Sequence, residues 1–248
     1  MKIGAVIQAR ASSTRLPRKV FKELPYGSGI TVLQQVIRRL KKADDVHEII
    51  VATTTEEEDR EISQIARKEN VKCFRGSLNH VLERYYLAAK ENNLDIVVRI
   101  TGDCPCVDPD LVDLVVARHK EGKADYTSNV VKRTYPDGLD VEVFDFCTLE
   151  KAYRNARQDI EREHVTPYIY KNPDIFKIVH VEADEESYAP DRRITLDTAQ
   201  DYVLLCAVFD ELYPDNKYFG VRAIMKLFRE KPWLDLINTK SHEISLKH

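Results

Sequence analysis

Glycine is scarce in this sequence, at 8 of 248 residues, and none falls between Gln8 and Lys22, where the first apolar run ends. Neither the dinucleotide Gly-x-Gly-x-x-Gly fingerprint nor a phosphate-binding P-loop is therefore present there. Long hydrophobic runs are missing too. The stretch from Met1 to Ile7 stops at Gln8-Ala9-Arg10, too short for a bilayer and without a small-residue cleavage site, so neither a membrane span nor a secretory signal is expected. Five scattered cysteines (Cys73, Cys104, Cys106, Cys147 and Cys206) form no Cys-x-x-Cys pair, and Cys104-Pro105-Cys106 has no His or Cys nearby to complete a metal set. Reduced thiols and a cytoplasmic location are expected. Charge of one sign is also absent: 38 basic against 41 acidic residues leave −3, which argues against a protein that coats nucleic acid. No Gly-x-Ser-x-Gly, His-Glu-x-x-His or nucleophilic Cys/His arrangement occurs. What remains, 43% hydrophobic and 32% charged residues, is the balance of a globular chain long enough for a sizeable core.

The first 120 residues alternate short apolar runs with amphipathic ones. Ile3–Ala9, Glu48–Thr53 and Asp95–Thr101 read as strands, with Val71–Arg75 a weaker one. Their Val/Ile content with little polar alternation suits a parallel sheet covered on both faces. Helices are expected after Thr31 as a cap, over Glu56–Asn70 and Leu78–Asn92, and from Asp108-Pro109 onward. Four such repeats predict a doubly wound α/β fold. Beyond residue 120, Leu139–Phe146, Phe176–Val181 and Arg193–Leu196 read as strands. Helices are expected near Thr148–Gln158, Glu161–Tyr170, Ala199–Leu212 and Val221–Arg229. No repeat or flexible linker divides the chain, so one domain over 1–248 is expected, with the polar tail from Asn238 fraying.

In open α/β sheets ligands collect at the carboxyl ends of strands. The loop after the first strand carries Arg10, Arg15, Arg18, Lys19 and Lys22 with no acid among them. Side-chain cations interleaved with Ala, Ser and Thr can surround a triphosphate as backbone amides do in a P-loop; a solvated basic loop is the plain alternative. Thr101-Gly102-Asp103 ends another strand, and Asp103 there suits a magnesium ligand or, equally, a turn or helix cap. Asp197, after Arg193–Leu196, is a candidate second metal carboxylate or an N-cap. Asp140 and Glu142 alternate onto one strand face, either solvent-exposed or reading sugar hydroxyls. His164 follows Arg162 and Glu163 in a helical stretch, where packed or surface roles are commoner than catalytic ones.

Together these residues resemble a family. Ala5-Val6-Ile7-Gln8-Ala9-Arg10 with Ser13, Arg15, Leu16, Pro17 and Lys19 is similar to the opening signature of the CMP-sugar synthetases. These are the cytidylyltransferases acting on acylneuraminate and 3-deoxy-manno-octulosonate. Arg75-Gly76-Ser77, Val81–Tyr86, Arg99–Pro105, Tyr135–Glu142, Arg162–Tyr168 and Thr195–Thr198 resemble the spore coat polysaccharide biosynthesis SpsF-type branch, in order from residue 3 to about 212. Gln8 departs from the Pro that the sugar-acid synthetases carry, and Leu78-Asn79-His80 is less acidic than the branch.

The resemblance implies a three-layer α/β/α Rossmann-like mixed sheet of the nucleotide-diphosphosugar transferase type. It also implies CTP, Mg2+ and frequent homodimers, the dimer surface being expected after residue 130. CMP transfer to a sugar acid or phosphorylated sugar or polyol, with pyrophosphate release, is the implied activity for surface polysaccharide synthesis. Residues 1–125 would form a nucleotide-binding half and 126–248 an acceptor-binding half. By carry-over, Gln8, Ala9, Arg10, Arg15, Lys19, Gly76, Ser77, Arg84, Thr101 and Gly102 contact the nucleotide. Asp103 and Asp197 hold the metal, and Arg10, Lys19 and Asp103 serve the chemistry. Arg133, Asp137, Asp140, Glu142, His164 and Arg193 are the acceptor candidates. A glycosyltransferase of the same fold and a non-catalytic nucleotide-binding subunit stay open as alternatives; the absence of Asp-x-Asp at Thr101-Gly102-Asp103-Cys104 counts against the first.

Overall fold

A computed structural model describes residues 1–239. Seven strands form one sheet: β1 (Ile3–Gln8), β2 (Glu48–Thr54), β3 (Lys72–Gly76), β4 (Ile96–Thr101), β5 (Tyr126–Ser128), β6 (Glu142–Asp145) and β7 (Ile178–His180). Their order is β3-β2-β1-β4-β6-β5-β7. The first four run parallel, β6 is antiparallel to both β4 and β5, and β7 is parallel to β5. The sheet is therefore mixed, and only β6 is reversed.

Nine α-helices are assigned among the described residues: α1 (Val32–Leu40), α2 (Arg60–Lys68), α3 (Val81–Glu91), α4 (Pro109–Gly122), α5 (Phe146–Asn155), α6 (Asp159–His164), α7 (Pro167–Tyr170), α8 (Ala199–Leu212) and α9 (Val221–Glu230). The apolar strands are buried on both faces because helices cover both. Ala5, Ile7, Val51 and Val98 pack with α1, α2, α4, α8 and α9, while Val6, Ile50, Ala52 and Val97 pack with α3, α5 and α7. Residues one apart on each strand thus enter different layers. Among the described residues no helix is long and apolar enough to cross a membrane.

Several expectations change beyond residue 120. Arg193–Leu196 is no strand: it makes one isolated bridge, Asp137 to Arg193, and its backbone bonds go to loops, with Leu196 N–H donating to the Asp103 carbonyl at 2.9 Å. Tyr126–Ser128 is a strand that the hydroxyl-rich sequence did not announce. The Thr148–Gln158 helix begins earlier, at Phe146, and ends at Asn155. Glu161–Tyr170 divides into α6 and α7 because Val165 takes φ 73°, ψ −55° and Pro167 opens the next turn. The expected fraying fails at Asn238, which is buried and donates to Asp201 Oδ1 at 2.9 Å; positions 240–248 of that tail lie outside the described residues.

Candidate active site

β1 and β4 pair in register to their last residues, Gln8 opposite Thr101, so their loops leave the sheet side by side. Gly102 N–H donates to the Gln8 carbonyl at 2.8 Å. A Cβ at Gly102 would lie 3.0 Å from both Ala9 Cβ and the Gln8 carbonyl oxygen, which explains the glycine by close approach. The loop after β1 is pinned from below by Asp59, buried beside α2. Its carboxylate accepts the Ala11 N–H at 2.6 Å and the Thr54 hydroxyl. Val20, also buried, anchors the short helical turn Lys19–Phe21.

That turn sends Lys19 between two carboxylates. Its ammonium donates to Asp103 Oδ2 at 2.5 Å and to Asp197 Oδ1 at 2.7 Å, and Arg15 Nη2 lies 3.1 Å from the same Asp197 oxygen. Burial works to lower the Lys19 pKa, but the charges of Asp103 and Asp197 outweigh it and hold it above the ordinary value. Burial likewise pushes Asp103 up, and the Lys19 charge and hydrogen bond prevail to hold it below the carboxylate norm. Among the described residues no group of three or more His, Cys, Asp or Glu is arranged to cage a metal ion. Two carboxylate oxygens facing a single cation are present instead. Such a pair fits a hard divalent ion whose other ligands are phosphate oxygens and water.

A cavity of about 340 Å³ opens over this cluster. The loop after β1 lines it with Gln8–Arg10, Ser12–Arg15, Lys19 and Val20, joined by Thr101–Asp103, Asp197, Glu163 and His164. The last two lead into a strained γ-turn. At Val165 the backbone adopts φ 73°, ψ −55°, and Thr166 N–H donates to the His164 carbonyl at 2.8 Å. A β-branched residue in that conformation costs of order 1–3 kcal/mol. The surroundings hold it: Val165 is buried, and the Thr166 hydroxyl donates to Glu142 Oε1 at 2.7 Å.

A surface of unpaired and paired cations over two carboxylates is suited to a polyphosphate and its counter-ion. The model of the cytidylyltransferase family matches residues 5–226, which include every one of these groups. The chain belongs to the cytidylyltransferase family. It is 33% identical to the spore coat polysaccharide biosynthesis protein SpsF of Bacillus subtilis, over 83% of this chain and 85% of that protein. It also superposes with TM-score 0.87 on a cytidylyltransferase from Leptospira borgpetersenii serovar Hardjo-bovis, at 36% identity over 95% of this chain and 97% of the other. The fold alone is shared with a CMP:2-keto-3-deoxy-manno-octonic acid synthetase complexed with CTP. That match has TM-score 0.63 and 15% identity, over 85% of this chain and 99% of the other.

In this cytidylyltransferase the cavity gathers Gln8, Ala9, Arg10, Arg15, Lys19, Thr101, Gly102, Asp103, His164 and Asp197 from the residues singled out in the sequence. It does not include Gly76, Ser77 or Arg84 in its lining. Arg84 is buried, its Nη1 donating to the carbonyls of Ser77 and Leu78, while Nε and Nη2 have no hydrogen-bond partner among the described residues. Burial lowers its pKa, and Arg10 nearby lowers it further.

The acceptor candidates other than His164 also lie off the cavity wall. Glu142 is not a solvent-facing acid: it sits opposite Arg99 across the β4–β6 ladder, pairs with that guanidinium, and accepts from Tyr126 Oη at 2.5 Å. Arg133 grips Asp140 with two bonds of 2.8 and 3.0 Å. Arg193 is held by Asp137 and Asp197. Asp137 is pushed up to about 6, by burial first and by Asp140 second, against Arg193 and Arg133. Ser12, Ser13, Thr14, Val20 and Glu163 line the cavity without having been among the expected site residues, and Asp59 supports it from outside. The hydroxyl run between the cations was the available signal for the first three.

Proposed function

We propose that this cytidylyltransferase transfers CMP from CTP to an oxygen of a sugar acid or phosphorylated sugar or polyol, releasing pyrophosphate, in surface polysaccharide synthesis. The observation that carries the reading is Lys19 bridging Asp103 and Asp197 at the mouth of a loop rich in Arg and hydroxyl groups. The names of the relatives support the acceptor class and the pathway. We assign the nucleotide to residues 1–125 and the acceptor to 126–248. Exposed Ile160, Ile175 and Tyr188 support a homodimer surface on the second half. Five free cysteines support a cytoplasmic setting.

An anionic acceptor and a triphosphate repel by about 4 kcal/mol per pair of unit charges at 4 Å and an effective dielectric of about 20. Arg10 and Arg15 offset that repulsion along the triphosphate, and Ser12, Ser13 and Thr14 offer hydroxyl donors beside them. Asp103 and Asp197 would hold Mg2+, which when bound neutralises phosphate charge and polarises the phosphorus under attack. Lys19 is the cation that touches both carboxylates, so it balances them before substrate arrives and lies next to the leaving phosphates afterwards. The acceptor oxygen attacks the α-phosphorus, a hydroxyl acceptor giving its proton to water; the bond to the β-phosphate oxygen breaks, and pyrophosphate leaves with that electron pair. Glu163 and His164, which line the same cavity, are placed beside the acceptor in this reading.

Each of the four nucleoside triphosphates, incubated with the protein, Mg2+ and a panel of sugar acids and sugar phosphates, tests this. Pyrophosphate release with CTP and one acceptor class is expected. Transfer from a preformed sugar nucleotide, or binding without turnover, would contradict it.

A further inference from the structure

The two oxygens of Asp197 have different neighbours. Oδ1 faces Lys19 at 2.7 Å and Arg15 at 3.1 Å, on the cavity side. Oδ2 is taken by Arg193 Nη2. The Arg193 side chain is only 4% exposed, with Nη1 on Asp137 Oδ2 at 2.5 Å and Nε 3.5 Å from Asp201 Oδ1. A planar guanidinium fixed at both tips orients the carboxylate it grips, as an ammonium on a flexible stem cannot.

The backbone beneath is fixed as well. Asp137 N–H donates to the Arg192 carbonyl at 2.8 Å, and Ile194 N–H donates back to the Asp137 carbonyl at 2.7 Å. Gly138, at φ +106°, permits that approach, since a Cβ there would stand 2.6 Å from Thr195 N. Asp201 Oδ2 accepts the N–H groups of Asp197 at 3.0 Å and Thr198 at 2.9 Å. Asn238 Nδ2 donates to Asp201 Oδ1 at 2.9 Å and to the Arg193 carbonyl at 3.0 Å. The peptide and the side chain of Asp197 are therefore oriented by separate partners.

We propose that Arg193 is a positioning residue that occupies Oδ2 of Asp197 and so commits Oδ1 alone, in one orientation, to the cation shared with Asp103. This rests on the reading of Asp103 and Asp197 as metal carboxylates, and it takes Arg193 away from the acceptor. Two consequences of losing Arg193 oppose each other. A freed Asp197 loses its orientation, which weakens binding of an ion with strict geometry; a removed positive charge favours any cation nearby. Arg193→Lys separates them, keeping the charge and abolishing the fork.

The test is a titration of Mn2+, read by electron paramagnetic resonance, into protein saturated with a non-hydrolysable CTP analogue. CTP binding in EDTA is measured in parallel. Arg193→Lys is expected to weaken Mn2+ about 10- to 100-fold, the usual effect of losing a partner that orients a metal ligand. CTP affinity in EDTA should match that of the unsubstituted protein, because Arg193 does not line the cavity. Asp137→Asn, which leaves the guanidinium in place and only removes the charge of the partner at its far tip, is expected to show a smaller loss in the same direction. It also keeps the proposal testable should Arg193→Lys unfold. Unchanged Mn2+ affinity in both variants overturns the proposal, as does an equal loss of CTP affinity in EDTA. Failure of the unsubstituted protein to bind Mn2+ with the analogue present overturns the metal reading itself, and is distinguishable because it needs no variant.

Discussion

In the loop after β1, Arg10 is exposed and makes no ion pair or hydrogen bond among the described residues. In the second half, Arg133 and Arg193 are each locked to aspartates, and Arg99, which reaches the second half from β4, is locked to Glu142. The residue type is the same, yet Arg10 keeps its charge available to a ligand, whereas the others have committed theirs to the fold. A buried guanidinium left unpaired would be costly, so pairing is a condition of burial there. A buried arginine near a site is thus a weak ligand candidate once aspartates hold its guanidinium, whereas Arg15, paired to Asp197 but 43% exposed, can still turn to a ligand.

Substitutions can break this comparison, and the largest effect belongs to Lys19, which serves both sides. Lys19→Met should lower CTP-dependent pyrophosphate release roughly 100- to 1000-fold, the range for loss of one preorganised charge donor. The same variant should bind Mn2+ more tightly than the unsubstituted protein when no nucleotide is present, because the competing ammonium is gone. Mn2+ affinity that falls instead would show that Lys19 does not compete for the seat.

Next comes Arg10. Arg10→Ala should weaken CTP about 10- to 100-fold, given about 1.5–3 kcal/mol for hydrogen bonds to a charged partner. Its thermal unfolding should be unchanged, since the side chain supports nothing in the fold. A loss of stability matching the loss of affinity would remove the distinction between the halves.

Thr166→Val should be the reverse case. It deletes the hydroxyl that donates to Glu142 at 2.7 Å beneath the Val165 turn, at a cost of about 1–3 kcal/mol in stability. Thr166→Ser should restore it, and CTP affinity should not move in either. Calorimetry with a parallel nucleotide titration reads both quantities. The smallest effect is expected at Arg18, which belongs to the same cationic run but pairs with Glu61 at the surface, 2.5 Å apart and half exposed. Arg18→Ala should change stability by at most about 1 kcal/mol and leave turnover nearly intact; a large loss of turnover would place Arg18 on the nucleotide.

The same contrast explains what could be read from the sequence. β1, β2 and β4 were legible because two covered faces leave runs rich in Val and Ile with little polar alternation. β5 was not, because Tyr126-Thr127-Ser128 is three residues long and two of them carry aliphatic hydroxyls. Arg193–Leu196 has apolar positions that are buried yet bonds to loops instead of a ladder, so burial mimicked a strand. Glu142 read as exposed because alternation reports a shared face and not what covers it. The clue lay in β4, where Arg99 interrupts Ile-Val-Val-Arg-Ile and requires a buried partner. In the site, the cationic loop and Asp103 followed from position at strand ends. Asp59 escaped because it lies in Glu56-Glu57-Glu58-Asp59, a run of acids that suits the start of a helix, whereas it accepts from Ala11 and Thr54, 48 and 5 residues away.

The central claim is that Asp103 and Asp197 form a cation seat which Lys19 fills until metal and nucleotide arrive. Anomalous diffraction from crystals grown with CTP and manganese addresses it directly. The account predicts a manganese peak within bonding distance of Asp103 Oδ2 and Asp197 Oδ1, with Oδ2 of Asp197 still on Arg193 and Lys19 moved to the phosphates. A peak elsewhere, with Lys19 still bridging the two aspartates beside bound CTP, would contradict it.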